Sequence, residues 1–167
     1  GTRNFVGVVS RVNCPATVCK AIEKAFASEA MAAWPGVDGV VELTPGDGCG
    51  MSGRGEGIDL LRRTLRGYAA HANFAAVLVI GLGCEVNQVE GLVDARPAAL
   101  PGRLRTMTIQ DAGGTREAIA RGEAIVREML HAAAGARRTT LHASRLVVGL
   151  QCGGSDGYSG ISANPAL

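Results

Sequence analysis

Four cysteines in this chain follow runs of strand-forming residues. Cys14 follows Phe5 to Asn13, and Cys49 follows Val37 to Thr44 after a short loop. Cys84 follows Ala75 to Leu82, and Cys152 follows Arg145 to Leu150. Cys14 to Cys49 is a step of 35 residues, and Cys49 to Cys84 is again 35. That is about the length of one βαβ unit. Acids stand at the same places: Asp47, Glu56, Glu85, Asp111 and Asp156. A carboxylate ahead of a helix caps its orphan N–H groups. It can also move a proton or ligate a divalent metal. Glu85 beside Cys84, and Asp156 behind Cys152, Gly153, Gly154 and Ser155, suit that second role best. The bland alternative for each thiol is packing, since cysteine is among the most buried residue types. No CxxC pair occurs, so the spacing does not indicate a zinc ribbon or a ferredoxin-type cluster.

Five strand-like runs must position these groups: 5–13, 37–44, 75–82, 104–110 and 145–150. The third and fifth are nearly continuous apolar runs, as expected of strands buried on both faces. Between them, apolar residues spaced three and four apart predict helices over 16–33, 58–71 and 115–134. A shorter helix is expected over 87–93, and Pro97 and Pro101 mark a loop after it. Strand alternating with helix predicts an α/β fold: a three-layer, mostly parallel, Rossmann-like sheet with helices on both faces. In such sheets ligands bind outside the carboxyl ends of the strands. The candidate residues collect at that edge.

Length and composition bound the partners. The chain has 167 residues, 47% of them hydrophobic and 19% charged, and only 4% aromatic. One domain spanning 1–167 is expected, with a core of Val, Leu, Ile and Ala. Seventeen basic residues against 15 acidic ones leave a net charge of +2. That balance argues against a nucleic-acid surface or a polybasic membrane surface. No apolar run reaches transmembrane length. An odd count of five cysteines without a compact framework suits free thiols in a reducing cytoplasm. The chain begins with Gly1, not Met, and is expected to be a piece excised from a longer protein.

Other motifs carry less. Gly48 to Gly53 fits G-x-G-x-x-G but follows the second strand-like run and lacks an acid about 20 residues on. No G-x-S-x-G elbow is present. His71, His131 and His142 have no partner motif and read as structural. Arg54 and Arg116 lie near the loops and could pair with a carboxylate, although a solvated arginine is the default.

The stretches "GTRNFVGVVSRVNC", "GDGCG", "GLGCEVNQ", "IQDAGGT" and "GLQCGGSDGYSGISANPAL" together resemble the altronate/galactarate dehydratase family, the UxaA-like hydro-lyases, in their central Rossmann-like region. The resemblance runs from Gly1 to Leu167. It implies a small-molecule sugar-acid substrate, loss of water to give a 2-keto-3-deoxy acid, and a divalent metal, Fe(2+). It also implies that N-terminal and C-terminal regions of the parent are missing here, with a homo-oligomer as a further partner. The resemblance does not assign roles to the strand-end groups; from their position and type the catalytic residues are expected to be Glu85, Asp156 and Cys152. The substrate-binding residues are Asn13, Cys14, Cys49, Gly50, Asn87, Gln110, Asp111, Gly114, Thr115, Gly153, Gly154 and Ser155, and the metal ligands are Cys84 and Glu85. The family pattern has a histidine where this chain has Pro45. The same resemblance extends to sulfolactate sulfo-lyases, which break a C–S bond. Two other classes stay open: a non-catalytic module binding an anion or nucleotide, and a domain that mainly serves assembly.

Overall fold

The structure, a computed structural model, describes residues 1–27, 30–88, 102–150 and 157–167. These form two compact units, Gly1–Arg137 and Arg138–Leu167. The first holds a four-stranded parallel sheet: β1 (Phe5–Ser10), β2 (Gly39–Leu43), β3 (Phe74–Gly81) and β4 (Leu104–Thr108). Helices α1 (Ala16–Ala25), α2 (Glu56–Ala69) and α3 (Thr115–Ala133) complete it. The strand order is β2-β1-β3-β4. The chain steps from β1 out to β2, then returns past β1 to β3. The switch point therefore lies between β1 and β3.

Alternation along the strands builds two cores, because successive side chains point to opposite faces. Val6, Val8, Leu78 and Ile80 pack with Val18, Cys19 and Ile22 of α1 and with Val126, Met129 and Leu130 of α3. Val9, Val77 and Val79 point the other way, onto Leu65 and Ala69 of α2. Two helices on one face and one on the other give the expected three layers. With few aromatic rings the layers approach closely. A side chain on Gly122 of α3 would come within 2.3 Å of the Ile22 methyl, so this glycine lets α3 settle on α1.

Element ends shift for local reasons. The helix expected to run to Ala33 leaves helical geometry at Phe26 (φ −111°, ψ 34°), and a single tight turn follows at Ala30–Ala33. Helix α2 begins two residues before its first apolar position. Glu56 and Asp59 occupy its first turn, where the helix dipole favours negative charge. The helix expected over 87–93 lies mostly outside the described residues. Asn87 and Gln88, which are described, are not helical.

The fifth strand is a correction. Residues 146–150 form no strand, and Leu146, Val147, Val148 and Leu150 are exposed, Val147 by 92%. Strand propensity registers how well a residue fits a pleated, half-buried surface, and it needs neighbours to pair with. The second unit offers turns at Ala143–Arg145 and Gly157–Gly160 and one short helix, Ala163–Ala166, but no described strand. Among the described residues, no helix is long and apolar enough to cross a membrane.

Leu78, in the central strand β3, is fully buried between β1 and the α1/α3 layer. Leu78→Ala is expected to lower the unfolding free energy by about 2–5 kcal/mol, read as a lower urea midpoint with an unchanged m-value.

Candidate functional site

The carboxyl ends of β1 and β3 are tied by a buried ion pair. Arg11 continues β1 by donating its backbone N–H to the Ile80 carbonyl at 3.0 Å. Its guanidinium Nη2 lies 2.7 Å from Glu85 Oε1, and both side chains are essentially inaccessible to solvent. Glu85 Oε1 also accepts the Leu82 N–H at 3.1 Å, and Oε2 the Gly83 N–H at 2.6 Å. The carboxylate therefore folds the loop after β3 back onto itself. Gln88 closes the loop by donating its side-chain amide to the Glu85 carbonyl and accepting from Arg11 Nη1 at 3.5 Å.

Glycines make this possible. A Cβ on Gly81 would sit 1.6 Å from Arg11 Nη2 and 2.2 Å from Glu85 Oε1, so the ion pair occupies the space a side chain would need. Gly83 takes φ +126°, and a Cβ there would strike Gln110 at 2.3 Å. Gln110 thus lies across the β3 loop, and its N–H donates to the Leu82 carbonyl at 3.1 Å. Asn87 is fully buried. Its amide donates to the Arg11 carbonyl at 3.0 Å, and its Oδ1 accepts from Arg62 Nε of α2 at 3.3 Å.

Outside this frame stand the thiols. Cys14, Cys49 and Cys84 are exposed and free, whereas Cys19 is buried. The β1 and β2 loops are joined by the Asn13 N–H donating to the Asp47 carbonyl at 3.1 Å. The Cys14 thiol donates to Asn13 Oδ1 at 3.6 Å, and its pKa is raised above the ordinary thiol value, chiefly by the neighbouring Cys49 thiol. Partial desolvation and the nearby Cys49, Cys84 and Glu85 charges add to it. The pKa of Cys19 is pushed up to about 12, chiefly by burial. Three thiols that follow three different strands thus gather at one edge.

The structure brings Asn13, Cys14, Cys49, Gly50, Cys84, Glu85, Asn87, Gln110 and Asp111 to this same edge of the sheet, at the loops that follow the four strands. Asp111 Oδ2 accepts from Thr108 Oγ1 at 2.5 Å. Gly114 (φ +122°) then leads into α3 at Thr115. Cys152, Gly153, Gly154, Ser155 and Asp156 lie outside the described residues. Arg54 and Arg116 are exposed. The basic residue that enters the frame is Arg11, and its signal was a lone charge at the end of an apolar strand run. All three histidines serve local structure. His131 accepts from Trp34 Nε1 at 3.4 Å, His71 from the Asn73 N–H at 3.2 Å and His142 from the Ser144 N–H at 3.2 Å.

Residues 1–134 match the family described as D-galactarate dehydratase/Altronate hydrolase, second domain. Residues 143–167 match D-galactarate/Altronate dehydratase, C-terminal. The chain is 34% identical over 167 residues to an altronate dehydratase of Bacillus subtilis (strain 168), covering all of this chain and 32% of that protein. It is 35% identical to an altronate dehydratase of Escherichia coli (strain K12), again over all of this chain and 32% of the relative. A galactarate dehydratase (L-threo-forming) of the same organism is 35% identical over 173 residues, all of this chain and 33% of the relative. The chain thus spans about a third of the length of these relatives. No solved structure matches it.

Glu85→Ala leaves the Arg11 charge buried without its partner. It is expected to cost about 3–5 kcal/mol of stability in urea unfolding. The double variant Arg11→Met/Glu85→Leu should lose far less, because no uncompensated charge remains. A raised Cys14 pKa means less thiolate at a given pH. Alkylation of Cys14 by iodoacetamide should therefore reach its half-maximal rate at a higher pH than for a free cysteine. Cys49→Ser should move that midpoint back toward the ordinary value, as followed by peptide mass spectrometry.

Proposed function

Because the chain belongs to the D-galactarate dehydratase/altronate hydrolase family, we propose that it forms part of the active centre of a sugar-acid dehydratase. The enzyme is a lyase that removes water from an aldonate or aldarate such as altronate or galactarate. The observation that carries the reading is the joining of the β1 and β3 loops at the switch point by Arg11 and Glu85.

The reaction sets clear demands. A proton leaves the carbon beside the carboxylate, the neighbouring hydroxyl departs as water, and the enol becomes a 2-keto-3-deoxy acid. The protein must hold the carboxylate, orient the hydroxyls, take one proton and deliver another. A shallow cleft of about 350 Å³ beside β4, lined by Arg11, Gln88, Thr106, Thr108, Asp111 and Arg121 among others, offers groups of those kinds. The exposed guanidinium of Arg121 suits a carboxylate. Thr108 and Asp111 suit sugar hydroxyls, with Asn13, Gln110 and the Gly114–Thr115 turn nearby in the same set of loops. In this reading Glu85 positions the loop rather than moving a proton, since both its oxygens already accept from protein donors. Cys152 and Asp156 remain the candidates for the proton-moving role on their residue types and motif alone.

A divalent metal such as ferrous iron would stabilise the enediolate and help hydroxide leave. Among the described residues, no group of three or more His, Cys, Asp or Glu side chains is arranged to hold a metal ion. Glu85, expected as a ligand, is committed to Arg11 and two backbone N–H groups. The described residues do not fit such a centre. A cytoplasmic setting belongs to the same reading, supported by four free described thiols.

The test is 2-keto acid formation by the full-length parent under anaerobic conditions, on altronate and galactarate, with and without ferrous iron. Product from at least one substrate is expected, and Asp156→Asn and Cys152→Ser should each lower kcat by at least about 100-fold. No product from either sugar acid would overturn the reading. Equal turnover with and without iron would keep the dehydratase and remove the metal.

A further inference from the structure

We propose that Arg121 makes the cleft beside β4 a selective site for an unphosphorylated hydroxy acid, its guanidinium taking the carboxylate while Asp111 takes a hydroxyl. The walls of this cleft carry two guanidiniums and one carboxylate, together with Thr106, Thr108 and Gln88. Most of these polar groups are already committed. The Arg11 charge is offset by Glu85 at 2.7 Å. Gln88 donates to the Glu85 carbonyl and accepts from Arg11. The Thr108 hydroxyl donates to Asp111 Oδ2 at 2.5 Å and accepts the Asp111 N–H at 3.1 Å. Arg121 differs. Among the described residues, no hydrogen bond, ion pair or ring contact holds its guanidinium. It stands next to Gly122, whose bare backbone lets α3 settle on α1, so its helix is fixed on the core. Asp111 Oδ1 and the exposed Thr106 hydroxyl are likewise without a partner among the described residues.

The open groups are thus a cation, a carboxylate oxygen and a hydroxyl. A guanidinium presents a planar fork of donors that matches a carboxylate. A carboxylate oxygen only accepts, so it needs a donor such as a sugar hydroxyl. A ligand that carries both groups satisfies both sides of the cleft. The charges also decide what is refused. With Arg11 offset by Glu85, Arg121 and Asp111 leave the cleft without net charge. A phosphate ester carries about two negative charges at neutral pH. Arg121 offsets one of them, and the second meets the Asp111 carboxylate, where like charges repel. A polyol without a carboxylate leaves Arg121 with nothing to hold. The volume of about 350 Å³ is at the small end for a ligand site, as suits one small acid. This assignment rests on the sugar-acid reading in taking the cleft for a substrate site; the residue that selects and the anion that is refused go beyond it.

The experiment titrates altronate, altritol and inorganic phosphate into the isotope-labelled 167-residue chain at constant ionic strength and follows the backbone amide shifts by NMR. The expected result is a saturable shift at Thr106, Thr108, Asp111 and Arg121 with altronate, and binding at least about 10-fold weaker for the other two. Arg121→Gln should weaken altronate binding by about 10- to 100-fold, the worth of a charge-assisted pair, with Arg121→Lys in between. Arg121 is exposed, so this variant keeps the fold, as unchanged shifts elsewhere verify. Asp111→Asn should raise phosphate binding severalfold, a gain that a merely structural role for Asp111 does not produce. No saturable shift with altronate, equal affinity for phosphate and altronate, or unchanged binding in Arg121→Gln would each overturn the proposal. The full-length parent separates this outcome from the dehydratase reading. Turnover of altronate with an unchanged KM in Arg121→Gln removes the cleft assignment and keeps the dehydratase. Binding that depends on Arg121 without any turnover keeps the cleft and removes the dehydratase.

Discussion

The Arg11–Glu85 ion pair is the constraint on which the strand-end face depends. It joins the exits of β1 and β3 across the point where the chain reverses its winding, and it does so with both side chains shut off from water. Removing two charges from water costs several kcal/mol per ion, and the cost is offset only by good geometry and full hydrogen bonding. The loop supplies that bonding to the carboxylate through the Leu82 and Gly83 N–H groups, and it keeps Gly81 bare where a side chain would collide. A hydrophobic pair of equal volume would fill the space but would impose no direction on the loop. The charged pair selects one loop conformation, and Cys84, Asn87 and Gln88 are placed by it.

Around that frame the chain keeps its layers close. The two cores are built from Val, Ile, Leu and Ala, with Phe26 and Trp34 at the margin of the larger one. Small residues such as Gly122 let α3 and α1 approach each other over the sheet. A rigid sheet with short loops is a good support for groups that must be held in a fixed arrangement.

Much of this was legible from residue order. The four strands and three long helices follow from runs of β-branched residues and from apolar spacings of three and four. Their ends moved only where capping, the helix dipole or a local turn decided. The run 145–150 failed as a strand for a physical reason. Its residues fit a sheet, but the described part of its own unit offers no strand to pair with, and Val147 and Val148 stand in solvent. Periodicity reads a residue's preference and not the presence of a neighbour. Arg11 was missed for the converse reason. A charge at the end of an apolar run looks like a solvent-facing terminus until its partner, 74 positions away, folds over it.

By itself the sequence determined the alternation of strand and helix, and with it the edge of the sheet where the Cys, Asp, Glu and Gly loops collect. Both follow from local preference and from the fixed period of each element. Only the tertiary structure decided what those residues do to one another. Glu85 turned inward to a buried arginine, and Asn87 became a strut to α2. Each of these rests on a long-range contact, and such contacts are set by the order in which strands pair, which the period of a strand does not encode.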